Sequence, residues 1–166
     1  MNGTILIIIS ILTFLRVLEY SISRTNELWM IEKGGVEKNK GLNSWLFVLQ
    51  IAFFISLYIE SAAISDYKGI NIFWLIVLLF VILLKLWCVR VQNSFWSVKE
   101  IHLPRVRFIK KGPYKYVKKP EYWILAGELF AIPLFMNLYM TFSLFILLHF
   151  SLFLVQLPEQ TKEGVS

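Results

Sequence analysis

Five apolar runs, separated by polar stretches, divide the chain at about residues 4–21, 44–63, 70–91, 122–138 and 140–157. A run of about 20 apolar residues is enough for a helix to cross the hydrocarbon core of a bilayer. The fourth run is short and carries Gly127, Glu128 and Pro133. Asn137-Leu138-Tyr139 then permits a tight turn into the fifth run, which Pro158 ends. The pattern predicts an all-α polytopic membrane protein. It has five transmembrane helices, the last two a tight hairpin, in a single domain over residues 1–166.

Two polar stretches interrupt this plan. Residues 23–43 carry Arg24, Asn26, Glu27, Glu32, Lys33, Glu37, Lys38 and Lys40, and Gly34, Gly35 and Gly41 break them up. This reads as a loop, with at most an interfacial helical turn anchored by Trp29. In residues 92–121, apolar and basic residues alternate irregularly. Pro104, Pro113 and Pro120 forbid one continuous helix there. The segment has too many aromatic and aliphatic residues for a disordered linker. It reads as an irregular, amphipathic segment at the membrane surface.

Charge gives the orientation. Thirteen lysines and arginines fall in residues 23–43, residues 92–121 and the tail, against Lys68 alone on the opposite face. The positive-inside rule then puts the N-terminus outside, the C-terminus in the cytoplasm and residues 92–121 on the cytoplasmic face. The first run lacks a basic leader and a small-residue cleavage site, so it reads as a retained span. A hydrophobic content of 57% and a mean hydropathy of +0.64 agree with a membrane protein. Net charge is +6, and topology accounts for most of the basic residues, so nucleic acid is not an expected partner.

The candidate chemistry is sparse. Cys88 is the single cysteine, and no Cys/His cluster with metal-ligand spacing occurs, so no metal is expected. Phosphate-binding glycine loops, dinucleotide fingerprints and nucleophile elbows are absent. Arg16 and Glu19 lie one helical turn apart and read as an ion pair that helps the first helix end at the interface. Lys85 and Arg90 read as snorkelling side chains. His149 reads first as an interhelical hydrogen-bond partner. Glu128 stands about two turns into the fourth run, where a bare charge costs ~2.5–3.5 kcal/mol. It therefore needs a partner, and the basic segment before it is the nearest source. Gly127 beside it allows close approach of a backbone or ligand.

The stretch Gly112-Pro-Tyr114-Lys-Tyr116-Val-Lys118-Lys119-Pro120-Glu-Tyr122 resembles the Gly-x-Tyr-x-x-x-Arg-His-Pro-x-Tyr signature of the isoprenylcysteine carboxyl methyltransferase family. Arg16-x-x-Glu19 and Arg24-x-Asn26-Glu27-x-x-Met30 are similar to the first span and loop of its short bacterial branch. The resemblance implies a five-span enzyme of the bacterial plasma membrane that transfers a methyl group from S-adenosylmethionine, with its active face cytoplasmic. It implies a cofactor pocket between residues 92–121 and the inner ends of the last two spans. The acceptor it implies is lipophilic and enters from the bilayer, either isoprenylcysteine carboxylate-like or alkylpyrone-like, and membrane lipid is the further partner. The cofactor positions carried over are Val106, Arg107, Phe108, Ile109, Tyr114, Lys119, Pro120, Tyr122 and Gln160; the catalytic candidates are Gln156, from the resemblance, and Glu128, from its place as a carboxylate inside the fourth run. Lys119 stands where the family has histidine. Gln156, Gln160 and Thr161 stand where it has an arginine and two glutamates. These departures keep open a non-catalytic binding or assembly relative. A reductase-like member of the superfamily using NADPH is a further alternative.

Overall fold

The computed structural model describes residues 3–38, 40–64, 69–99, 101–104, 111–117 and 120–149; of Leu42 and Tyr122 only the backbone is described. The described residues form α1 (Gly3–Glu32), α2 (Lys40–Ala63), α3 (Ile72–Gln92) and α4 (Pro120–Phe135), followed by α5 (Tyr139–His149). Two short strands, β1 (Val36–Glu37) and β2 (Ile101–His102), pair antiparallel, with Val36 opposite His102 and Glu37 opposite Ile101. Single 3-10 turns occupy Asn93–Phe95 and Gly112–Lys115.

Three of these helices are long and apolar enough to cross a membrane, and two shorter apolar ones follow. Their outward faces are apolar at helical spacing: Ile7, Ile11 and Phe14 on α1, and Ile76, Phe80 and Leu83 on α3 are all exposed. Such stripes suit lipid rather than water. The inward faces share one core. Ile9, Leu57, Leu78, Ile132 and Phe145 each come from a different helix and belong to one packed cluster. The chain is an integral membrane protein.

α1 departs from the expected pattern. It continues past residue 21 to Glu32, through sequence that reads as loop. The added turns are held by the segment after α3. Asn26 Nδ2 donates to the Trp96 carbonyl at 2.8 Å, and Trp29 packs edge-on against Phe95 at 5.6 Å. With its polar groups covered in this way, the helix has no reason to stop at the interface. It ends where Gly34 takes φ +86°, a left-handed conformation that favours glycine. The Gly34 N–H donates to Ile31 and the Gly35 N–H to Met30, both at 2.9 Å, closing a Schellman cap. The Arg16–Glu19 pair therefore lies in mid-helix and does not end it.

α4 begins at Pro120, a favoured first position because its missing N–H would have no helical partner. A second Schellman cap closes the helix: Leu138 N donates to Pro133 at 2.8 Å, Asn137 N to Leu134 at 3.3 Å, and Asn137 sits at φ 57°. α5 starts at once, and the expected tight hairpin is present. Glu60, at the end of α2, accepts from the Met140 and Thr141 N–H groups at 2.9 and 2.7 Å, so one helix caps another. The Asn137 side chain donates to the Gly69 carbonyl at 2.7 Å, and Asn71 N donates to Phe135 at 3.0 Å. These bonds tie the hairpin turn to the start of α3. The remainder of the expected fifth span, residues 150–157, lies outside the described residues.

Candidate functional site

Gly112–Lys115 opens the signature stretch as a 3-10 turn laid against the end of α3. The seat is tight: a Cβ on Gly112 would stand 2.9 Å from Val91 Cγ2 and 3.2 Å from Trp87 Nε1. Tyr114 then points inward against the cluster of Val81, Cys88 and Ile124. Its hydroxyl donates to Glu121 Oε1 at 2.5 Å, and Gln92 Nε2 donates to the same oxygen at 2.9 Å. Burial pushes the Tyr114 pKa well above the usual phenol range, and the hydrogen bond and charge of Glu121 push it the same way. A phenol held neutral in this way donates a hydrogen bond and does not act as a base.

Pro120 is buried. With Leu84, Trp87, Pro113, Tyr116, Val117 and Trp123 it lines an apolar hollow of about 190 Å³ between α3 and the start of α4. Tyr114 and Pro120 thus belong to one assembly, built from the turn, the end of α3 and the start of α4. The Tyr122 backbone lies in the first turn of α4. Val106, Arg107, Phe108, Ile109, Lys119, Gln156 and Gln160 fall outside the described residues.

Glu128 is somewhere else. It sits in a network that joins α1, α2, α3 and α4. Its Oε1 accepts from Lys85 Nζ at 2.9 Å, and its Oε2 accepts from Arg16 Nη2. Arg16 Nη1 donates to Glu19 at 2.8 Å, and Lys85 also donates to Glu19. With its amide oxygen turned inward, Gln50 accepts from Arg16 Nε and Nη2 at 3.1 and 2.7 Å. Two cations and two carboxylates leave the network neutral. The expected partner of Glu128 was the basic segment; the partners found are Arg16 and Lys85. Lys85, expected to snorkel outward, points inward because two carboxylates await it. Both oxygens of Glu128 are occupied, so its visible work is to bind helices together.

A second carboxylate went unweighed in the sequence. Glu27 is only 1% exposed. Its Oε1 accepts from Ser23 at 2.7 Å and Ser97 at 3.1 Å, while Arg24 and Lys99 stand 3.6 and 4.0 Å from Oε2. The signal was available in Ser23-x-x-x-Glu27, one helical turn apart, but its partner Ser97 comes 70 residues later. Glu121, the partner of Tyr114, and Gln92, which donates to the same oxygen, gave no local signal either. His149 Nδ1 bonds within its own helix, to the Phe145 carbonyl at 2.9 Å, rather than across helices. Among the described residues no group of three His, Cys, Asp or Glu side chains could hold a metal ion.

Comparison with known proteins adds the context. Residues 74–163 match the model of the isoprenylcysteine carboxyl methyltransferase (ICMT) family. An uncharacterized protein of Bacillus subtilis strain 168, YpbQ, is 30% identical over 159 residues, covering 94% of each chain. An uncharacterized protein of Haemophilus influenzae is 26% identical over 123 residues, covering 73% of this chain and 72% of its own. No solved structure matches. The match takes in α3, the signature turn, α4 and α5, the elements that seat Tyr114 and Pro120, and the chain belongs to the isoprenylcysteine carboxyl methyltransferase family.

Proposed function

We propose that this protein is a membrane methyltransferase that uses S-adenosylmethionine and methylates a small lipophilic acceptor, of the isoprenylcysteine carboxylate or alkylpyrone type. Family membership supports the reaction class, since ICMT family members use this cofactor. The observation that carries the reading is the seating of the signature turn: Tyr114, Gln92 and Glu121 converge at the inner end of α3 beside an apolar hollow. This set fits the cofactor. A carboxylate, an amide and a phenol suit ribose hydroxyls and an ammonium group, and aromatic faces attract a sulfonium cation. The cofactor, when bound, supplies the electrophilic methyl group. The protein's part is to orient the two reactants and exclude water, and orientation alone can carry much of such a transfer. Tyr122 and the backbone of residues 106–109, with Lys119 and Gln160, complete the cofactor side in this reading, and Gln156 faces the acceptor.

The same reading places five spans across a bacterial plasma membrane, with the N-terminus outside and the signature turn in the cytoplasm. The changes at Lys119, Gln156 and Gln160 favour one second reading, a relative that binds without catalysing. Titration calorimetry on the purified full chain separates the two when combined with a radiolabelled methyl-transfer assay on lipid extract. Saturable binding of S-adenosylmethionine, weakened in Tyr122→Ala, with label entering lipid is the expected result. Binding without transfer points to the second reading. Binding of NADPH alone, or of neither, overturns the proposal.

A further inference from the structure

The hollow between α3 and α4, which borders the signature turn, is exposed as well as apolar. Its lining is apolar, and its largest rings face outward: Tyr116 is 80%, Trp123 72% and Trp87 50% exposed. A soluble protein would hide such a surface. At a membrane boundary, tyrosine and tryptophan sit at headgroup depth, with apolar bodies toward the chains and polar tips toward water.

Cations lie on the segments that form this aromatic hollow. Lys115 Nζ lies 5.8 Å from the centroid of the Tyr116 ring, so a cation is held on one wall. Lys111 precedes Gly112, whose backbone is pressed against Trp87 and Val91. Arg90 is in the last turn of α3, three residues beyond Trp87. All three side chains are exposed, and none forms an ion pair among the described residues. Among the described residues, the acid that follows the turn is otherwise engaged. Glu121 accepts from Tyr114 and Gln92 on the inner side of the turn.

We propose that the hollow is a binding site for an anionic phospholipid, one acyl chain lying against Leu84, Trp87, Pro120 and Trp123 and the phosphate meeting Arg90, Lys111 and Lys115. Charge complementarity and membrane depth argue for this occupant: three cations with no ion pair among the described residues, next to an apolar slot, match a molecule with a negative head and a hydrocarbon tail. A zwitterionic lipid fills the slot without using the cations. A free phosphate uses the cations without filling the slot.

The test uses the full chain in a neutral detergent, without cofactor. Phosphatidylglycerol, phosphatidylcholine and glycerol 1-phosphate are each titrated while thermal unfolding is followed, and native mass spectrometry counts retained lipids. Phosphatidylglycerol is expected to raise the unfolding temperature by several degrees with one lipid retained. Phosphatidylcholine should do much less, and glycerol 1-phosphate nothing. The doubly substituted Lys111→Ala/Lys115→Ala protein should bind phosphatidylglycerol about thirtyfold more weakly, two basic residues' worth, and added salt should weaken the wild type in the same direction. Both lysines are exposed, so this variant folds as the wild type does. Equal responses to the two phospholipids, an undiminished response in the variant, or a full response to glycerol 1-phosphate would each overturn the site.

Discussion

Glu128 illustrates how a charge survives inside an apolar helix. Removing a carboxylate from water is costly, and only close partners compensate. Lys85 and Arg16 take one oxygen each, and Glu19 balances the remaining positive charge. Substituting Glu128→Gln would leave two cations facing one carboxylate. We expect that variant to lose about 3 kcal/mol of stability, in the range for a broken buried pair. The charge-balanced double change Glu128→Leu/Lys85→Met should recover most of the loss, because Arg16 and Glu19 still neutralise each other. Chemical unfolding of the detergent-solubilised proteins measures both, and a Glu128→Gln protein as stable as wild type would refute this account of the network. Glu27 poses the same problem with a different answer: serine hydroxyls satisfy one oxygen, while Arg24 and Lys99 approach the other.

Among the described helices α1 to α4, α3 and α4 make the most extensive contact. Gly127 is the reason they approach so closely. A Cβ there would stand 2.8 Å from Val81 Cγ2, closer than packed atoms tolerate. Gly127→Leu should therefore push α4 off α3 and cost about 1–3 kcal/mol, as overpacking usually does. The smaller Gly127→Ala should cost less, since the Val81 methyls can turn. Thermal unfolding orders the series, and indifference to leucine would mean that the helices are not in register at this point. The close approach was legible in the sequence, because a glycine inside an apolar run has few other uses. The hairpin was legible too, from Asn137 and the shortness of the fourth run. The length of α1 was not. Its last turns read as loop because the groups that cover them, Trp96 and Ser97, come some 70 residues later in the chain. The inward turn of Lys85 was hidden for the same reason: snorkelling is a property of one helix, and an ion pair needs two. Of the candidate site, Tyr114 and Pro120 were placed together by a signature, but Gln92 and Glu121 became visible only once α3 and α4 lay side by side.

Over the whole molecule, the hairpin turn, the end of α2 and the start of α3 gather at one end. Gln92, the signature turn and the start of α4 gather at the other. Most of the lysines and arginines in the connecting segments follow the second end, and under the positive-inside rule that end is expected to face the cytoplasm. A membrane-impermeant maleimide applied to intact cells tests this orientation on a Cys88→Ser background. Met140→Cys is expected to label from outside, and Lys111→Cys only after the cells are opened. The reverse pattern would invert the protein and put the signature turn on the wrong side for a cytosolic cofactor.

The carboxylate of Glu60 sits across the first amides of α5. Because α2 leaves the ribosome long before α5, the last helix enters the membrane to find its starting cap already waiting. A chain lacking that acid would still deliver its segments to the bilayer, yet α5 would dock with its first amides unpaired by Glu60. Maturation of such a chain should slow at the closing step, after insertion is complete.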